Sequence, residues 1–134
     1  MGVGLVPLYD PKAPKESQYN GDGKGLADEY ATLNKIALEA GLRPLSHFAD
    51  NPDVRNEDYT EQGDIDAPRT AQLTYYAIDD ALPTVEGLIR EIRSRPGVAA
   101  RLADTKYTLE ELEELARSLR EAKRGGSRFC FFFV

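Results

Sequence analysis

Arg128-Phe129-Cys130-Phe131-Phe132-Phe133-Val134 follows directly on Gly125-Gly126-Ser127, and its reading decides the fold. Six apolar residues in a row, four of them Phe and preceded by glycines, predict a strand buried on both faces. Period-2 geometry places Phe129, Phe131 and Phe133 on one face and Cys130, Phe132 and Val134 on the other. Neither set is polar, so both faces need cover. Burying one Phe contributes about 1.5–3 kcal/mol and four contribute about 6–12, comparable with the net stability of a domain at about 5–15. Loss of the strand is therefore expected to unfold the protein. A membrane helix needs about 20 apolar residues, far more than this run. Prenylation needs Cys fourth from the end, and Cys130 is fifth.

Working back from the strand, Leu109, Leu112, Leu115, Ala116, Leu119 and Ala122 recur at helical spacing and predict an amphipathic helix over 109–124. Thr108 with Glu111 reads as a capping box, and Tyr107 with Leu112 as a hydrophobic staple. Lys123 and Arg124 suit the negative end of the helix dipole, and Gly125 closes it. An earlier helix is expected from Asp79 or Asp80, with Leu82, Val85, Leu88, Ile89 and Ile92 as its apolar stripe. Pro83 is read as a first-turn residue, where no amide is missed. Glu86–Arg90 and Glu91–Arg95 are spaced as i,i+4 pairs. Pro96-Gly97 ends this helix, and Val98 to Ala103 reads as a short helical turn.

The first helix is expected from about Lys24 to Ala40, burying Leu26, Tyr30, Leu33, Ile36, Ala37 and Ala40, with Asp28, Glu29, Lys35 and Glu39 outward. Gly41 is its stop. Leu45 and Phe48 form one apolar turn. Leu73 to Ile78 reads equally as a strand or as an extended lead-in to the next helix. Val3 to Tyr9 reads as a strand, and Pro7, with no amide to donate, makes it an edge. The expected fold is α+β: three amphipathic helices packed on a small sheet formed by the N- and C-terminal strands. Residues 1–134 read as one domain with an irregular acidic loop at about 49–70.

The chain has 134 residues, one Cys, and a net charge of −6. Asp50, Asp53, Glu57, Asp58, Glu61, Asp64 and Asp66 crowd one segment with a single base, Arg55, so this stretch accounts for the whole excess. No basic face offers itself to nucleic acid. No apolar segment reads as a membrane span, and the start lacks the charged n-region of a signal peptide. One cysteine fits a reducing compartment, so a cytoplasmic location is expected.

Gly25-Leu26-Ala27 with Leu33, and Gly41-Leu42-Arg43-Pro44-Leu45-Ser46-His47-Phe48, resemble the first half of a group of small uncharacterised bacterial proteins. Tyr75-Tyr76 ahead of Ala81-Leu82-Pro83-Thr84-Val85-Glu86-Gly87-Leu88, and the helix 109–124 running into Arg128-Phe129, extend the resemblance over most of the chain. In that group the tyrosine pair is followed by an Asp-Pro helix start, whereas Ala77-Ile78 stand here. The resemblance implies no activity.

His47 and Cys130, the sole residues of their kinds, do not make a zinc site. Counting from Asp50, the EF-hand pattern fails at Pro52 and Arg55. Asn20-Gly21-Asp22-Gly23-Lys24-Gly25 lacks the Lys-Ser/Thr ending of a phosphate loop and reads as a glycine-rich helix lead-in. Ser46-His47 has no nucleophile elbow around it. Cys130, in an apolar strand, reads as packing. Of Tyr75 and Tyr76, alternation buries one and exposes the other. No cofactor is implied. The leading expectation is a non-enzymatic interaction module, a regulator or immunity-type inhibitor, meeting a basic protein through Asp53, Glu57, Asp58, Tyr75, Tyr76 and His47. The rival is a small-ligand-binding protein or a metal-assisted enzyme using His47 and loop carboxylates. A third reading is a homo-oligomer formed through an exposed edge strand.

Overall fold

The computed structural model describes residues 3–49 and 74–134. Among them the fold is α+β. The two chain ends meet as antiparallel strands, β1 (Leu5–Asp10) and β2 (Arg128–Phe133), with Leu5 opposite Phe133 and Asp10 opposite Arg128. The helices between them are α1 (Lys24–Asp28), α2 (Tyr30–Glu39), α3 (Ile78–Ser94), α4 (Pro96–Ala99) and α5 (Thr105–Arg124). A 3-10 turn at Leu45–Phe48 buries Leu45 and Phe48 completely, as their spacing suggested.

The pairing explains how a proline sits in β1. Gly4 and Val134 exchange both backbone bonds, at 3.1 and 2.8 Å. Alternation then makes Val6 and Leu8 the inward-bonding positions and turns the backbone of Leu5, Pro7 and Tyr9 to the other side. There the Leu5 amide donates to the Gly23 carbonyl at 2.9 Å, while Pro7 has no amide to place. Gly23 itself has φ +73, and a Cβ on it would stand 2.3 Å from the Leu5 carbonyl oxygen. Close approach and a left-handed backbone both demand glycine.

Strand β2 is held along its second edge too. Tyr76 pairs with Phe129 through two backbone bonds of 2.7 and 3.0 Å, and Ala49 forms a parallel bridge to Phe131. Of the expected strand or lead-in at 73–78, the described residues 74–78 contribute one bridge, at Tyr76, and the chain turns helical at Ile78. Phe129 and Phe131 join Leu5 and Tyr9 of β1 and the apolar stripes of α2, α3 and α5 in one core. Phe48 packs against both, at ring-centroid distances of 5.9 and 6.5 Å. On the other face, Cys130 and Phe132 are 0% and 2% exposed, so both faces of the strand are buried. The burial ends at Val134, which is 52% exposed.

Several local expectations are corrected. Helix α5 begins at Thr105, and its cap is Asp104, whose carboxylate accepts from the Tyr107 amide at 3.0 Å. Thr108 and Glu111 lie inside the helix, so they form no capping box. The first helix breaks at Glu29, which is buried, not outward, and Ala40 is exposed. Pro83 falls beyond the first turn of α3, which forgoes one helical hydrogen bond there. Glu91 pairs with Arg95 as spaced, but Glu86 reaches across to Arg120 on α5 at 2.8 Å. Gly41 and Gly126, at φ +77 and +81, are the left-handed stops of α2 and α5. In each case the next residue's amide returns to the third-last helical carbonyl, Leu42 to Ala37 and Ser127 to Ala122.

Candidate functional site

Two neighbourhoods are candidates for a site. The first holds the candidates named from sequence. His47 is exposed at the end of the 3-10 turn, its ring edge-on to Phe48 at 4.9 Å and tilted 6.0 Å from Tyr76. Tyr76 is half-buried, because its backbone pairing to Phe129 lays its ring against Phe48 at 5.8 Å. Tyr75 is half-buried as well, so the expected division into one buried and one exposed tyrosine does not occur. The structure thus brings His47 and Tyr76 together. Asp53, Glu57 and Asp58, and the rest of the acidic loop after Ala49, lie outside the described residues.

The second neighbourhood was missed in the sequence. Helix α1 has Gly23 as its N-cap, a residue with no side chain to accept from the first-turn amides. Glu111, on the second turn of α5, supplies the cap: Oε2 accepts from Gly23 N at 3.1 Å and Oε1 from Leu26 N at 3.0 Å. Asp22 accepts from the Lys24 amide at 3.0 Å and from the Tyr107 hydroxyl at 2.7 Å. Glu114 accepts from Asn20 N at 2.9 Å and from Arg117, which also ties down the Glu16 and Gln18 carbonyls. Together with Tyr19 these groups line an open cleft of about 380 Å³.

The electrostatics follow from burial and donors. Burial pushes the Glu111 carboxyl above its ordinary value, with the Leu26 amide pulling the other way and the charge of Asp22 adding to the rise. Asp22 and Glu114 are held below the usual carboxylate range, Asp22 first by the Lys24 amide and Glu114 first by Arg117. Tyr107 is raised because its hydroxyl donates a hydrogen bond to Asp22, and Tyr19 because it is buried among carboxylates. The Tyr19 hydroxyl has no hydrogen-bond partner among the described residues. A Cβ at Gly21 would stand 2.5 Å from it. At neutral pH both phenols keep their protons, so the cleft offers hydrogen bonds and negative charge, and no tyrosinate nucleophile.

Among the described residues, no group of three or more His, Cys, Asp or Glu is placed to hold a metal ion. No helix there is long and apolar enough to cross a membrane. No family model, curated protein or solved structure matches this chain.

Proposed function

We propose that the protein is a non-enzymatic interaction module that presents the acidic segment between Asp50 and Asp66 to a basic protein partner, as its regulator or inhibitor. The observation that carries this reading is the second edge of β2. Ala49, just before the segment, bridges Phe131, and Tyr76, ten residues after Asp66, bridges Phe129. The chain on either side of the acids is thus fixed to positions two residues apart on the most buried strand. Rigid scaffolds position binding loops in this way. His47 and Tyr76 add aromatic surface beside those attachment points, and tyrosine is enriched at the centres of interfaces. With the net charge of −6 matched by the excess in this one segment, attraction of a cationic surface is concentrated there.

The test is capture of a basic partner from the native host, followed by the triple variant D53N/E57Q/D58N. Association is expected to slow by about tenfold at low ionic strength and to lose much of its salt dependence. Binding unchanged by the three neutralisations, or capture of no basic partner, refutes the proposal. A thermal shift with divalent metal that disappears in H47A would favour the ligand-binding rival instead.

A further inference from the structure

We infer that a second copy of this chain docks face to face on the groove between α3 and α5, forming a weak two-fold dimer. Among the described residues three ion pairs cross from α3 to α5: Asp79 with Lys123, Glu86 with Arg120 at 2.8 Å, and Arg93 with Glu113. Residue numbers rise along α3 as they fall along α5, so the helices run antiparallel and the pairs stand as three rungs across the groove. The six side chains are 40–67% exposed, so each charge keeps an open side. Between the Glu86 and Arg93 rungs, half-buried Ile89 and buried Ala116 line a groove of about 400 Å³. Both helices carry one spacing, Glu86-x-x-Ile89-x-x-x-Arg93 and Glu113-x-x-Ala116-x-x-x-Arg120. None of the six charged residues is among those assigned to the basic partner above.

The sign pattern selects the partner. Three acids and three bases leave these rungs without net charge, so a uniformly acidic or basic surface meets repulsion as well as attraction there. What fits is a face with every sign reversed across the groove, and the chain's own copy carries one. A two-fold axis laid along the groove, parallel to both helices, sets α3 of each copy over α5 of the other. Asp79 then faces Lys123, Glu86 faces Arg120 and Arg93 faces Glu113 of the other copy, so each rung becomes a ring of four alternating charges. Networks of this kind contribute where an isolated exposed pair contributes little. The same rotation lays Ile89 of each copy on Ala116 of the other, large against small. Turning the copy end over end about the middle rung would instead set Glu86 on Glu86. From Asp79 to Arg93 the helix is about 21 Å long and the helix pair about 20 Å wide, so about 400 Å² of each copy is covered. The total, about 800 Å², is below the roughly 1,200–2,000 Å² of stable complexes, and the dimer is accordingly weak.

The test exchanges a rung. E86R/R120E keeps an ion pair within each chain, so it should fold, and two copies of it still oppose unlike charges. Mixed with the native chain, however, it opposes like charges at both positions of that rung. Isotope-labelled native chain is titrated with unlabelled native chain or with unlabelled variant up to about 1 mM, the affinity range of the weakest specific contacts. Ionic strength is held at about 0.15 M, where a Debye length of about 8 Å screens the acidic excess of each copy. Native chain is expected to shift the amide resonances of Glu86, Ile89, Arg93, Glu113, Ala116 and Arg120. The variant is expected to bind native chain at least about tenfold more weakly while associating with itself as the native chain does. R93E/E113R, which exchanges another rung, should show the same contrast. The dimer is overturned if native chain leaves these resonances unmoved, if the shifts fall on the strand edges instead, or if both exchanged variants bind native chain as well as it binds itself.

Discussion

Truncating single phenylalanines of β2 tests whether the strand is an interior element on both faces. Phe131 is 1% exposed and packs edge-on against Phe129 at 5.0 Å and against Phe48 at 6.5 Å. Phe131→Ala forfeits about 2–3 kcal/mol of burial. The void adds about 24 cal/mol for each Å³ that does not collapse, or ~2 kcal/mol for roughly 80 Å³. A loss of about 4 kcal/mol is expected, a large part of a domain's usual 5–15. Phe132→Ala should cost about 3–5 kcal/mol although its side chain lies on the opposite face, since Phe132 is 2% exposed. Phe133, half-buried with Tyr30 edge-on at 5.0 Å, should cost about half as much. Arg128→Ala, exposed, should stay within about 0.5 kcal/mol. Urea denaturation followed by circular dichroism supplies the four values. A Phe131 loss near 1 kcal/mol, or a Phe132 loss no larger than that of Arg128, would refute a strand buried on both faces.

Two further substitutions probe buried polar groups. Burial pushes the Tyr9 phenol up to about 12, and Ser118, which donates its own proton to the Ser17 carbonyl at 2.7 Å, accepts from it at 2.7 Å. A phenol raised in the folded state stabilises below its unfolded value of about 10 and loses that stabilisation as pH climbs to about 12. Tyr9→Phe should therefore be less stable than the native chain by about 1 kcal/mol near pH 8 and more stable near pH 12, so that the two stability curves cross; parallel curves would contradict the assignment. Glu29→Ala leaves the Ala103 and Asp104 amides without their acceptor and should cost about 1–3 kcal/mol in thermal or urea unfolding, with Glu29→Gln losing less. Equal losses for Ala and Gln would show that packing, not acceptance from these two amides, is what Glu29 supplies.

What the sequence made legible and what it hid divide along a physical line. The Phe run needs burial whichever neighbours provide it, and the stripes of α2, α3 and α5 need a shared core. Composition and period alone therefore lead to helices on a sheet of the two chain ends. Pro7 announced an edge for the same reason: a missing amide is a property of the residue, independent of its surroundings. Hydrogen-bond partners are not local in this sense. Glu86 could reach Arg90 or Arg120, and only the packing of α3 on α5 selects the latter.

Glu111 shows the same limit at the candidate site. Thr-x-x-Glu is satisfied as a pattern by residues 108–111, yet a carboxylate three residues after a threonine is also what a helix interior can contain. Asp104 decides the matter by capping one turn earlier, at Tyr107. Once the helix starts there, Glu111 sits two turns in, on the face toward Gly23, and its carboxylate is available to a helix start 85 residues away in sequence. The glycine-rich run Asn20–Gly25 carried the complementary signal: a helix start with no capping side chain at Gly23 requires an acceptor from elsewhere. Joining a helix that lacks a cap to a helix with a surplus glutamate is an inference available from sequence in principle. It fails in practice because several glutamates of α5 are equally eligible, and tertiary packing chooses among them.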